Sequence, residues 1–265
     1  MSKPIRVLVF GTTGTGKTSL CNALTGEEQK VSNAALGVTF RSYTYKEVEI
    51  LGDQSLIITD TVGLNESARG SVPSRDAVKA LIKLLKDSQE GYNLLIHVFR
   101  IPRITQAEEN NYEFFVRTIS ESKIPTILVA TGCETLEPMS KWKNENGDTF
   151  ARIGLEYEDI ICTCFASGGR MASIYDDLRK ESCEALLGAI EAYAAPEPVK
   201  LYNSMQGFIA VFKRAWNWLA GWLGLDGVMF KLNEGLIQLL IRIGFTKEEA
   251  TAFVNEVGIP PESDK

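Results

Sequence analysis

Over the first 195 residues, short apolar runs alternate with stretches that repeat at helical spacing. Ile5 to Phe10, Leu56 to Asp60, Tyr92 to Phe99, Pro125 to Thr131 and Asp159 to Cys164 are short and rich in β-branched residues. Such runs suit strands covered on both faces. Lys17 to Leu24, Arg75 to Leu85, Thr105 to Ser120, Met139 to Ile153 and Ile174 to Ala194 lie between or after them and carry helical spacing. A strand and helix order of this kind implies a mainly parallel sheet wrapped by helices. Tyr43 to Glu49 alternates large and charged residues, which suits an edge strand paired antiparallel to its neighbour. The expectation is therefore a six-stranded α/β domain over residues 1–195.

The character changes at "APEPVK" after Ala194, where two prolines stop the helix. Residues 196–265 are read as a C-terminal helical subdomain. Three of the four tryptophans (Trp216, Trp218, Trp222) fall close together there. At 100° per residue, Phe208, Phe212, Trp216, Leu219 and Trp222 share half of a helix whose other half carries Gln206, Lys213, Arg214 and Asn217. A second apolar stretch, Val228 to Ile243, is interrupted by Lys231, Glu234 and Arg242. Neither reaches the roughly 20 uninterrupted apolar residues of a membrane span. Core packing is the default for the tryptophan face, and a peripheral membrane or protein partner through these helices is the alternative. "TKEE", with Thr246 and Glu249, reads as a capping box opening a last short helix.

Composition changes this picture little. The chain of 265 residues is 45% hydrophobic and 23% charged, ordinary for a globular protein, and its formal net charge of −6 argues against a nucleic-acid-binding stripe. Five cysteines, odd in number and without zinc-site spacing, read as reduced thiols in a cytoplasmic protein. The N-terminal apolar run ends in a glycine loop and so reads as a first strand, with no signal peptide before it.

That loop carries the candidate chemistry. "GTTGTGKT", Gly11 to Thr18, fits the P-loop pattern between a strand and a helix. Gly11, Gly14 and Gly16 let the chain curl so that amides of Thr13, Thr15 and their neighbours, on to Ser19, face a phosphate at the positive end of the helix. Lys17 would neutralise β- and γ-phosphates, and Thr18 would ligate Mg²⁺. Asp60 closes a strand and is followed by Gly63 at the spacing that holds a metal-bound water and meets the γ-phosphate. Thr39, in the polar segment before the edge strand, is the natural second hydroxyl ligand. The expected metal set is Thr18, Thr39 and Asp60.

With these elements in order, the sequence resembles the GTPases of the P-loop class, and more narrowly the immunity-associated AIG-type (GIMAP) family, related to septins and chloroplast import-receptor GTPases. "GVTF" at Gly37 to Phe40, "DTVGLNES" at Asp60 to Ser67 and "YNLLIHVFRIPRITQAEEN" at Tyr92 to Asn110 carry the narrower likeness. It implies a Ras-like G domain that binds GTP and GDP with Mg²⁺, hydrolyses GTP and pairs face to face as a homodimer. On that resemblance Lys17, Thr39, Gly63 and Arg103 are the catalytic candidates, with Arg103, Arg69 or Arg75 available to a partner's site. Thr105 is equally a simple helix cap with an acidic first turn.

Two positions depart from the pattern. GTPases place Asn or Thr, then Lys, any residue and Asp after the fifth apolar strand; here the strand ends in "ATGCETLEP". Thr131 and Glu134 fit the first and last positions with Gly132 in place of lysine, or a shifted version puts Cys133 and Thr135 there. Glu134 is the best acceptor for guanine in either case. "FASGG" after the next strand offers Ala166 and Ser167 to the base. The second departure is Leu64, which stands where Ras-like enzymes carry a water-orienting glutamine. Slow hydrolysis follows, or a scaffold that uses GTP to dimerise without turnover. His97, the single histidine, is expected to be a buried structural residue.

Overall fold

The computed structural model describes residues 3–29, 42–50, 54–61, 74–166, 172–223, 237, 241 and 246–256. Strands β1 (Ile5–Phe10), β4 (Ser55–Thr61), β5 (Leu94–Arg100), β6 (Thr126–Thr131) and β7 (Ile160–Thr163) run parallel. The short β2 (Ser42–Thr44) and β3 (Val48–Glu49) both pair antiparallel with β4. The sheet order is β2-β4-β1-β5-β6-β7, with β3 also on β4.

Among the described residues seven strands thus stand where six were expected, because the edge run 43–49 splits in two. Between β2 and β3 the Lys46 amide donates to Glu27 Oε1 at 2.9 Å, outside the ladder with β4. β5 also starts later than the apolar run suggested. Tyr92 makes an isolated antiparallel bridge with Val199, and the Ala195 amide donates to Asn93 O at 2.8 Å. The proline-bounded segment after α5 (Ala172–Tyr193) is therefore stitched along the entry to β5.

Alternation along the parallel strands feeds two cores. Leu8, Phe10, Leu95, Phe99, Leu128 and Ala130 face one cluster, and Val7, Val9, Leu94, Ile96, Val98, Ile127 and Val129 face the other. Residues of α1 (Lys17–Thr25) and α5 complete the second cluster. Residues of α2 (Ser74–Asp87), α3 (Gln106–Tyr112), α4 (Lys141–Arg152) and α6 (Met205–Leu223) complete the first. The predicted helix 105–120 is α3 followed by a π-helical segment, Glu113–Ile119. The capping box of α7 (Lys247–Glu256) is formed in both directions, Thr246 N to Glu249 Oε2 at 2.8 Å and Glu249 N to Thr246 Oγ1 at 3.1 Å. Most of the apolar stretch 228–243 lies outside the described residues. Among the described residues, no helix is long and apolar enough to cross a membrane.

Parallel strands end on the same side, so Gly11, Asp60, Arg100, Thr131 and Cys164 are delivered to one edge of the sheet. Open α/β sheets bind ligands at that edge.

Candidate functional site

The loop after β1 curls through glycines that no other residue could replace at equal cost. Gly11 has φ +143, and a Cβ there would stand 2.0 Å from the Val98 carbonyl oxygen. Gly16, at φ +99, enters α1 in the left-handed region with no side-chain cap. The amides of the first turn of α1 are thus left for an external acceptor, and the helix dipole favours an anionic one. Thr13 and Gly14 are exposed at the crest, and Ser19 is half-buried one turn into α1.

Lys17 is 7% exposed and its Nζ donates to the Thr12 carbonyl at 2.6 Å. Burial pulls its pKa down, against the opposing pull of Asp60 and Glu108. Thr18 Oγ1 donates to Asp60 Oδ2 at 2.9 Å, while Asp60 Oδ1 is buried with no hydrogen-bond partner. Burial raises the Asp60 pKa, and Lys17 and Thr18 hold it back. An orphaned carboxylate oxygen beside a threonine hydroxyl fits a hard cation such as Mg²⁺, which takes one or two carboxylates and completes its shell with water and substrate phosphate.

Thr131, at the end of β6, donates from Oγ1 to the Thr15 carbonyl at 2.6 Å, and a Cβ on Gly16 would lie 3.5 Å from its methyl. This ties the base-side loop to the phosphate-side loop. Gly132 then turns left-handed into a short 3₁₀ turn, Cys133–Thr135. Glu134 lies 3.7 Å from Arg100 Nη2. Ala166 follows β7 and packs partly against the core. Arg103 is exposed in the β5–α3 connection. Thr39, Gly63, Leu64, Arg69 and Ser167 lie outside the described residues, as does the side chain of Arg75.

The sequence reading missed Glu108. Thr105 caps α3 as expected, accepting from the Glu108 amide, yet the Glu108 side chain turns inward and is 4% exposed. It accepts from the Thr12 amide at 3.3 Å and from the Thr12 hydroxyl, and it lies 3.0 Å from His97 Nε2. A carboxylate has only acceptors, so His97 donates to it from Nε2, and His97 Nδ1 hydrogen-bonds with the Tyr157 hydroxyl 2.8 Å away. Burial alone would raise the Glu108 pKa, but His97 and Thr12 outweigh it and hold the carboxyl below its ordinary value. The available signal was a histidine inside an apolar strand, since a buried imidazole needs polar partners.

Residues 6–132 match the sequence profile of the 50S ribosome-binding GTPase family. Immune-associated nucleotide-binding protein 3 of Arabidopsis thaliana is 31% identical over 154 residues, 57% of this chain and 44% of that protein. Immune-associated nucleotide-binding protein 10 of the same plant is 30% identical over 186 residues, 68% of this chain and 38% of its own length. GTPase IMAP family member 8 of Rattus norvegicus is 28% identical over 128 residues, 47% of this chain and 18% of that protein. Residues 6–132 are a P-loop GTPase domain, similar to those of the immune-associated AIG/GIMAP type. The chain spans less than half the length of these relatives. In this GTPase domain the parallel sheet, the loop Gly11 to Thr18 and the Thr18–Asp60 pair all converge on the carboxyl edge.

Proposed function

We propose that the protein binds GTP and GDP with Mg²⁺, hydrolyses GTP slowly, and changes conformation and dimerises with nucleotide state. One observation carries the metal and phosphate part. Asp60 Oδ1 is buried and unpartnered, next to a hydroxyl and near a buried lysine whose charged form burial disfavours. A triphosphate with a divalent cation relieves both buried groups. Thr18 and Asp60, with Thr39, would hold magnesium, and the ion would add positive charge against the β- and γ-phosphate oxygens.

The chain's own groups do the rest. Loop amides and the N-terminus of α1 orient the phosphates. Lys17 swings from the Thr12 carbonyl to the phosphate oxygens, exchanging one acceptor for a charged one. Glu134 accepts from guanine N1–H and N2–H₂, and Thr131 fixes the distance between base and phosphate subsites through Thr15. Leu64 has neither donor nor acceptor, so water is oriented without help from that side chain and turnover is slow. A scaffold that holds GTP without consuming it is the second reading, and Leu64 is what favours it.

Titration calorimetry with GTP, GDP and ATP under Mg²⁺, on wild type and on Lys17→Ala and Asp60→Ala, tests the binding reading. Tight guanine binding lost in Lys17→Ala and made independent of Mg²⁺ in Asp60→Ala supports it. Binding of ATP equal to GTP sinks the guanine assignment. Single-turnover phosphate release separates the enzyme from the scaffold, because a scaffold releases none.

A further inference from the structure

Gly132 stands where guanine-binding proteins carry a lysine whose stem covers the base. The backbone there has φ +86, so an L side chain, lysine included, would be strained. The space beside it is filled from the neighbouring strand. A Cβ on Gly132 would come 3.4 Å from Arg100 Cγ and 3.6 Å from Arg100 Cζ.

Register makes that approach a property of the fold. Arg100 closes β5 directly opposite Thr131, and the Ile101 amide donates to the Thr131 carbonyl at 3.0 Å. The arginine therefore stands beside the start of the base-side loop. Its Nη2 reaches to 3.7 Å from Glu134 Oε1, while its side chain stays 59% exposed against 18% for Glu134. An ion pair this long and open contributes little to stability. It does aim a flat, weakly hydrated cation at the side of the pocket that holds the acceptor.

We propose that Arg100, reaching across from β5, replaces the absent lysine: its guanidinium covers one face of the purine and keeps Glu134 aimed at the base. The proposal rests on the guanine-nucleotide reading above. Guanine presents N1–H and N2–H₂ to the carboxylate, whereas adenine presents the bare N1 acceptor, which a carboxylate repels. A guanidinium stacked on the ring adds cation–π attraction and offsets the charge that Glu134 brings near the base. Arg100 is in this sense a specificity-determining residue, touching base and acceptor and no phosphate.

Equilibrium titration of the full chain under Mg²⁺ with GDP, ADP and inorganic pyrophosphate tests this, using wild type, Arg100→Ala and Arg100→Lys. In Arg100→Ala, GDP affinity falls about tenfold and the preference for GDP over ADP shrinks, while pyrophosphate affinity is unchanged. Arg100→Lys restores part of the GDP affinity, since it keeps the charge and loses the plane. GDP binding unaltered in Arg100→Ala overturns the proposal, and so does an equal loss for GDP and pyrophosphate, which would place the effect on the phosphate side or on folding. Wild type that binds pyrophosphate but no GDP overturns the guanine-nucleotide reading itself, and Arg100 as a base contact with it.

Discussion

At the scale of single residues, Glu108 puts a carboxylate beneath a loop built to receive anionic phosphate, an arrangement that would weaken binding unless it secured something else. It secures Thr12, whose amide and hydroxyl it accepts and whose carbonyl takes the Lys17 ammonium at 2.6 Å. Glu108→Ala leaves Thr12 and His97 without their buried partner. It should destabilise the fold by about 3 kcal/mol in urea titration and weaken nucleotide binding alongside. Glu108→Gln keeps an acceptor for Thr12 and should cost less. Because the folded pKa of Glu108 lies below its ordinary 4.5, its stabilisation is complete above that value and lost as pH falls through the folded pKa. Urea midpoints between roughly pH 3 and 6 should therefore fall more steeply for wild type than for Glu108→Gln, which cannot titrate. The loop glycines give a paired test. Gly11→Ala drives a Cβ into the Val98 carbonyl and should lower stability by several kcal/mol, where Gly14→Ala meets open space and pays only for its φ of +85, about 1 to 2 kcal/mol in the same titration. The glycine spacing was readable from the sequence; the inward turn of Glu108 was not, because a first-turn acid after a threonine cap reads as a solvated charge.

Among the elements, α6 shows most clearly what periodicity can and cannot reveal. Its apolar half was legible, and Phe208, Phe212 and Leu219 are buried in the cluster that also holds Phe10 and Phe99. Core packing, the default reading of the tryptophan face, holds for Trp216 and Trp222, which pack against that cluster; Trp218, outside the predicted apolar half, packs there too, 5.2 Å between ring centroids from Phe114. The π-helical segment that α6 packs on was not legible. Phe114 and Phe115 are adjacent in sequence and both buried, one against Trp218 and the other stacked on Phe10 at 4.8 Å. A widened turn lets neighbouring aromatic residues serve both contacts, and no spacing rule announces it. Arg214 then caps the segment, donating to the carbonyls of Thr118 at 2.5 Å and Ile119 at 3.3 Å and pairing with Glu121. Phe212→Ala should cost about 3 to 5 kcal/mol, read as a drop in the urea midpoint of the whole domain in one cooperative step. A separate early transition for the C-terminal part, with the midpoint of the rest unmoved, would show that α6 folds independently of the sheet.

For the whole molecule, the parallel order and the position of the phosphate loop followed from the alternation of apolar and helical runs, since a strand leading through glycines into a helix leaves few arrangements. Pairing across chains leaves no such trace, and Leu64 makes it matter: on the proposed reading that side chain cannot orient water, and appreciable turnover would draw on a group from elsewhere. Arg103 is exposed in the connection that leaves the carboxyl edge of β5, beside the mouth of the proposed site, where a facing copy could receive it. An arginine supplied to the transition state contributes about 10³ to 10⁵ in rate. Single-turnover GTP hydrolysis per protomer should therefore rise with protein concentration in wild type and approach a plateau as dimers fill. If Arg103 serves the partner's nucleotide, Arg103→Ala should keep GTP affinity while its plateau falls at least tenfold. Mixing Arg103→Ala with Lys17→Ala distinguishes donation across the dimer from action within one chain. The first mutant keeps a working phosphate site and the second keeps the arginine, so activity recovered in the mixture requires the arginine to act on the partner's nucleotide. A rate per protomer that stays flat across all concentrations, with an inert mixture, leaves Arg103 as a surface residue and confines hydrolysis to what each chain achieves alone.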